Sequence, residues 1–108
     1  MSKYKNVKTT LDGITFDSKK EATRYTELMM LQRSGLIQNL RLQVPFELIP
    51  AQKEGKITIE RALGYVADFV YTENGKTIVE DCKGMKTRGY IIKRKLMLWV
   101  HGLRIKEV

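Results

Sequence analysis

"YVADFVYTENGKTIVEDCKG", residues 65–84, reads as two strands folded about Asn74-Gly75. Two-residue Asn-Gly loops favour the type I′ turn, because both central residues accept positive φ, and that turn fixes the register of the flanking strands. Counting outward, Glu73 faces Lys76, Val70 faces Val79, and Asp68 faces Asp81. Opposed side chains of an antiparallel pair have Cβ atoms about 4.5–5.5 Å apart, a spacing at which two like charges are destabilising unless they share a proton or bind a cation. Lys83 lies two residues beyond Asp81, so strand periodicity sends it to the same face and Cys82 to the other. That face carries Asp68, Asp81 and Lys83 among Val66, Val70 and Val79.

Two carboxylates at this separation can hold a hard cation such as Mg²⁺, which binds through one or two carboxylates and keeps positions for water and substrate phosphate. A neighbouring ammonium can orient the water or balance charge developing on phosphorus-bound oxygens, and these parts suffice for phosphodiester hydrolysis. The plainer alternative is a surface Asp68 in a diagonal ion pair with Lys83, worth less than about 1 kcal/mol. The surrounding valines argue against it, since neither strand presents a clean charged face.

The rest of the chain supplies an α/β frame. "TTLDGITFDS" places Asp12-Gly13 between two short runs, a small hairpin. Ala22, Tyr25, Leu28, Met29 and Gln32 recur at helical spacing, which predicts a helix over Lys19 to Arg33 with Gly35 as its left-handed cap. Leu42, Val44, Phe46 and Leu48 alternate as in a half-buried strand, and Pro45 within it points to an edge or a bulge. "AQKEGK" reads as a loop, and "ITIERALGYVADFVYT" as strand, interrupted at Gly64. A last helix is expected from Gly89 to Val100 with Thr87 as a possible cap, then a closing strand in "GLRIKEV". That helix is apolar nearly all round: Ile92, Leu96, Trp99 and Val100 form one stripe, Ile91 and Leu98 a second, with Lys93, Arg94 and Lys95 between. Two apolar sides call for two contacts, the sheet and either the first helix or another subunit.

A chain of 108 residues has room for one domain, 1–108, with a basic N-terminal arm over 1–10. Its 20 Lys+Arg against 12 Asp+Glu give a formal charge of +8, which favours polyanionic partners and nucleic acid first. No stretch approaches the roughly 18 apolar residues of a membrane span, so no membrane partner is expected. "MSKYKNVKTT" lacks the apolar core of a signal peptide, and the one Cys cannot form an internal disulfide; both fit the cytoplasm. No zinc spacing, nucleotide-binding glycine loop or Ser/His/Asp order is present, so no organic cofactor is expected.

Ala67-Asp68, thirteen residues before Asp81-Cys82-Lys83, resembles the motif of the PD-(D/E)XK nuclease superfamily, with Ala67 in place of the Pro. The likeness extends to "FDSKKEATRYTEL", and the chain from Phe16 onward resembles small phage-encoded members, including relatives of Holliday-junction resolvases. It implies an αβββαβ restriction-endonuclease-like core, a central mixed sheet flanked by helices, which is the element order already reached. It also implies Mg²⁺ or Mn²⁺ held by Asp68 and Asp81, with Lys83 assisting the water and Glu21 on the first helix as a further metal-binding or metal-orienting acid. The implied protein is a metal-dependent deoxyribonuclease, an endonuclease with branched DNA among its implied substrates, in a phage-infected bacterial cytoplasm; cutting two strands with one site per subunit calls for a homodimer.

Glu21 has a second reading, because Ser18-Lys19-Lys20-Glu21 is a capping box. Glu80 falls on the Cys82 face and ranks below Asp81 as a ligand unless a bulge reverses the order. Lys86, Arg88 and Lys93 are candidate phosphate contacts, with Tyr90 as a candidate stacking group; a solvated basic loop and a packed Tyr are the alternative. His101 at a helix end, Cys82, Trp99 and the methionines read as structural. Two rivals stand beside the endonuclease: a nuclease-fold protein that binds nucleic acid without cutting it, and a phage interaction factor whose basic surface meets an acidic host protein.

Overall fold

The computed structural model describes residues 8–83 and 85–108. Most of the expected basic arm and Gly84 therefore lie outside the described residues. The elements are β1 Thr9–Leu11, β2 Ile14–Phe16, α1 Lys19–Arg33, β3 Gln38–Ile49, β4 Gln52–Glu54, β5 Ile57–Glu60, β6 Leu63–Glu73, β7 Lys76–Asp81, α2 Arg88–Leu96 and β8 Ile105–Glu107. Between α2 and β8 the chain makes a π-helical turn, Met97–His101.

The fold is α+β, with a four-stranded mixed sheet in the order β3-β6-β7-β8. Neighbours are antiparallel except β7 and β8, which run parallel after the α2 crossover. With the β1–β2 and β4–β5 hairpins set aside, the order α1, β3, β6, β7, α2, β8 is the expected αβββαβ. Asn74 and Gly75 both take positive φ, and the ladder runs from Glu73↔Lys76 to Phe69↔Glu80 in the register the turn demands. Pro45 lies on the edge strand β3, where its missing N–H costs no ladder bond on the open side.

Helix α1 begins and ends where the sequence places it. Ser18 caps it by accepting the Glu21 N–H at 3.2 Å, and Gly35, at φ 81, closes it with Gly35 N–H to Gln32 C=O and Leu36 N–H to Leu31 C=O. Its Ala22, Tyr25 and Leu28 pack with Phe16, Ile37, Phe69 and Tyr71 on one face of the sheet. On the other face Val70, Val79 and Ile105 pack with Tyr90 and Met97 from the α2 side.

Three readings of the sequence need correction. "AQKEGK" is no plain loop: β4 pairs with β5 about Gly55, at φ 59, and all residues of both strands are exposed. The strand break falls at Arg61-Ala62, whereas Gly64 lies inside β6 opposite Glu47, where a Cβ would come within 3.3 Å of the Phe46 carbonyl oxygen. The α-helix stops at Leu96, and the π turn that follows changes the angular spacing of side chains. Met97 takes the interior while Trp99 is 86% exposed, with Ile92, Leu98 and Val100 also on the surface. Trp99 is thus not a packing residue of the folded chain. Among the described residues no helix is long and apolar enough to cross a membrane.

Candidate active site

The site forms where two strands turn over together. In β3, Leu40 and Leu42 pack on the α1 side, but Val44 and Phe46 pack on the α2 side. In β6, Phe69 and Tyr71 serve the α1 side, while Tyr65 and Ala67 serve the α2 side. A strand of strict period 2 keeps alternate residues on one face. Both strands therefore change face between the pairs Leu42↔Phe69 and Val44↔Ala67, at the level of Gln43 and Asp68. Gln43 has φ 50, a left-handed conformation that costs such a residue on the order of 1–3 kcal/mol.

Asp68 is one step past the last β6–β7 ladder pair, and its Oδ2 accepts the Cys82 backbone N–H at 2.9 Å. Asp81, 1% exposed, lies within hydrogen-bonding reach of Asp68; its Oδ2 accepts from the Tyr65 hydroxyl at 2.6 Å and pairs with Lys83 Nζ at 3.3 Å. Glu21 arrives from α1, and the Gln43 amide Nε2 donates to Glu21 Oε1 at 3.2 Å and to Asp68 Oδ1 at 3.3 Å. Three acids from three elements thus converge, as the sequence leads one to expect for Asp68, Asp81 and Glu21.

Electrostatics records the crowding. Burial first, then hydrogen bonding and charge from Asp81, pushes the Asp68 carboxyl up to about 7, against the lowering effect of the Cys82 N–H. Burial and the charges of Asp17 and Asp81 raise Glu21, opposed by the Asp17 backbone N–H and Lys83. Glu21 therefore lies within reach of the acids as well as of the start of its own helix, where its carboxylate meets the Asp17 N–H and its own N–H donates to Ser18 Oγ. The Cys82 thiol is pushed up to about 12 by burial and by Asp68, which favours its protonated form.

Glu80 belongs elsewhere. Fully buried on the α1 side, it receives Arg24 Nε and Nη2 at 2.7 Å each, together with the Tyr71 hydroxyl. Burial pushes its carboxyl up, but these donors outweigh burial and hold it below the ordinary range. The clamp fixes α1 onto β7, with Glu21 one helical turn before Arg24 and Asp81 next to Glu80.

Beyond Lys83 a cleft of about 430 Å³ is lined by Gly64, Tyr65, Val66, Lys83, Thr87, Gly89, Tyr90 and Lys93. Tyr65 and Lys83, the two donors to Asp81, are both part of its wall, so the cleft lies next to the acids, none of which lines it. Thr87 caps α2 by accepting the Tyr90 N–H at 3.1 Å, and the first turn of α2 carries no acid. Of the expected nucleic-acid contacts, Lys93 lines this cleft, Arg88 is exposed at the first position of α2, and Lys86 pairs with Glu107 at 3.5 Å. Tyr90 is a core residue, 6% exposed, whose hydroxyl donates to Glu107 at 2.7 Å and whose ring is flanked by Lys83 and Arg94. Its geometry is that of a packed Tyr, the alternative the sequence left open. His101 Nε2 is 2.7 Å from the Glu47 carbonyl oxygen, away from the acids.

Gln43 and Tyr65 are members of this constellation that pattern reading passes over, as it does Arg24 in the neighbouring clamp. Gln43 looks like an outward polar residue of an alternating strand, and nothing local to "LRLQVPF" announces its left-handed backbone. Tyr65 could have been found as an aromatic hydroxyl three residues before Asp68, since buried Tyr hydroxyls need partners.

Among the described residues no three His, Cys, Asp or Glu side chains form a ready-made metal cage. The donor chemistry nonetheless fits a hard divalent cation. Burial first, then hydrogen bonding and charge from Asp81, raises the Asp68 carboxyl, and a cation beside the two acids would offset the cost of ionising it there. Asp68 and Asp81 would hold it, with Glu21 as the third acid.

None of the curated proteins and none of the solved structures compared with the chain matches it. A family model does, described as a protein of unknown function, DUF1064, and it covers residues 1–104; the chain belongs to that family.

Proposed function

We propose that the chain is a divalent-metal-dependent DNA endonuclease. The observation that carries this reading is the grouping of Asp68, Asp81 and Glu21, with Lys83 paired to Asp81 and also lining the neighbouring cleft, in a protein with formal charge +8. Mg²⁺ or Mn²⁺ bound at the acids supplies Lewis-acid stabilisation of charge developing on the phosphoryl oxygens. The Cys82 N–H and the Gln43 amide orient Asp68, and the Tyr65 hydroxyl orients Asp81. Lys83 orients the attacking water and balances negative charge in the transition state. Lys93 and the acid-free start of α2 draw the backbone phosphate next to the scissile one into the cleft. Two copies acting together would cut both strands, which the exposed apolar surface of Ile92, Leu98, Trp99 and Val100 supports as a contact between subunits. Branched DNA enters as a substrate through the sequence resemblance alone.

The test is incubation of the purified chain with linear, nicked and four-way-branched DNA in Mg²⁺ or Mn²⁺, beside Asp81→Asn. The expected result is cutting that falls at least roughly 100-fold in the variant while DNA binding persists. Equal cutting by Asp81→Asn removes the acids from the chemistry. Binding in EDTA with no cutting in either metal selects the non-catalytic nucleic-acid-binding rival, and negligible DNA affinity at low salt selects the interaction factor.

A further inference from the structure

Among the described residues, the non-glycine positions with positive φ are Asp12, Asn39, Gln43 and Asn74. Asp12 and Asn74 sit in hairpin turns, and all but Gln43 are Asp or Asn, the side chains that tolerate this conformation. Gln43 is the exception, lying inside a twelve-residue strand and opposite the acid cluster. Glycine or asparagine would suit its backbone better, so the glutamine side chain is the feature that requires explanation. Its Nε2 is the atom that meets Glu21 from α1 and Asp68 from β6 at once.

We propose that Gln43 is a positioning residue that sets the separation of Glu21 and Asp68 for a shared divalent cation, an inference that rests on the metal-site reading above. An amide suits this role because it donates to two carboxylates without adding charge. A lysine there would compete with the cation, and a shorter or apolar side chain would release the Asp68 Oδ1 and Glu21 Oε1 contacts, leaving Asp68 held through Oδ2 by the Cys82 N–H. The contacts, at 3.2 and 3.3 Å, already lie at the long end for such bonds. Asparagine is shorter by one carbon–carbon bond, about 1.5 Å, and cannot make both contacts from the same backbone.

The experiment compares the full chain with Gln43→Asn and Gln43→Gly by thermal melting and by Mn²⁺ binding to the protein alone, with no nucleic acid present. Both substitutions suit a left-handed backbone, so both variants are expected to melt at or above the parent temperature. Both are also expected to bind Mn²⁺ at least roughly tenfold more weakly, the cost of losing a residue that orients ligands. Unchanged Mn²⁺ affinity overturns the proposal, whether melting rises, stays or falls, and marks the amide as a purely structural bridge. A parent chain that binds no Mn²⁺ overturns the metal-site reading itself, and with it this inference. Binding by the parent that both variants retain overturns the role of Gln43 alone.

Discussion

Asp68 holds its proton over a pH range in which the unfolded chain has lost it, because burial and Asp81 push its carboxyl up to about 7 from 3.8. A raised folded value means that its contribution to stability is full below the unfolded pKa and is lost as pH rises through the folded one. Glu21, also raised, acts in the same direction. Glu80 is lowered, so its contribution is present above its unfolded value and is lost as pH falls. The metal-free chain is therefore expected to melt at a lower temperature at about pH 8 than at about pH 5. Asp68→Asn should flatten that slope, and Mn²⁺ should raise the melting temperature at the alkaline end. Melting curves across this range check all three, and a pH-independent melting temperature in the parent would contradict the burial of the acid. Asp68 and Asp81 were legible in the sequence because a tight turn converts sequence distance into spatial register, whereas Glu21 entered through the family resemblance. Gln43 was not legible, because its role depends on a φ value that alternation in β3 conceals.

At the scale of elements, the Arg24–Glu80 clamp ties α1 to β7 and carries Glu21 and Asp81 into one neighbourhood. Glu80 is fully buried, so removing Arg24 would strand a charge. Arg24→Ala is expected to cost about 3–5 kcal/mol in chemical denaturation. Lys86→Ala, which removes an ion pair whose lysine side chain is 52% exposed, should cost less than about 1 kcal/mol. Similar losses for the two would contradict this ranking. Helix α1 was readable at both ends because its caps, Ser18 and Gly35, are local. The end of α2 was not, since the π turn at Met97–His101 leaves no mark in residues that would also suit a continuing α-helix.

For the whole molecule, if the proposed function holds, a formal charge of +8 would make affinity for DNA a matter of counterion release. Binding should weaken steeply with salt, and Lys93→Ala should reduce the slope of log affinity against log salt by about 0.9 if that ammonium meets one phosphate. An unchanged slope would place the strand elsewhere than in the cleft. The single tryptophan provides a second reporter. Trp99 is 86% exposed, so Trp99→Ser should leave the melting temperature of a dilute sample unchanged while reducing the mass seen in sedimentation from dimer to monomer. A parent that sediments as a monomer would remove the paired arrangement from the proposed function.

The sequence by itself determined what depends on neighbours along the chain: the Asn-Gly register, the span of α1, the αβββαβ order and the nearness of Asp68 to Asp81. These are set by turn geometry, capping and hydrophobic period, each local. The tertiary structure alone decided the turn-over of β3 and β6 at Gln43 and Asp68, the partnership of Glu80 with Arg24 and Tyr71, and the exposure of Trp99. Each depends on which distant side chain occupies the space across the sheet, and the chain's local pattern carries no record of that.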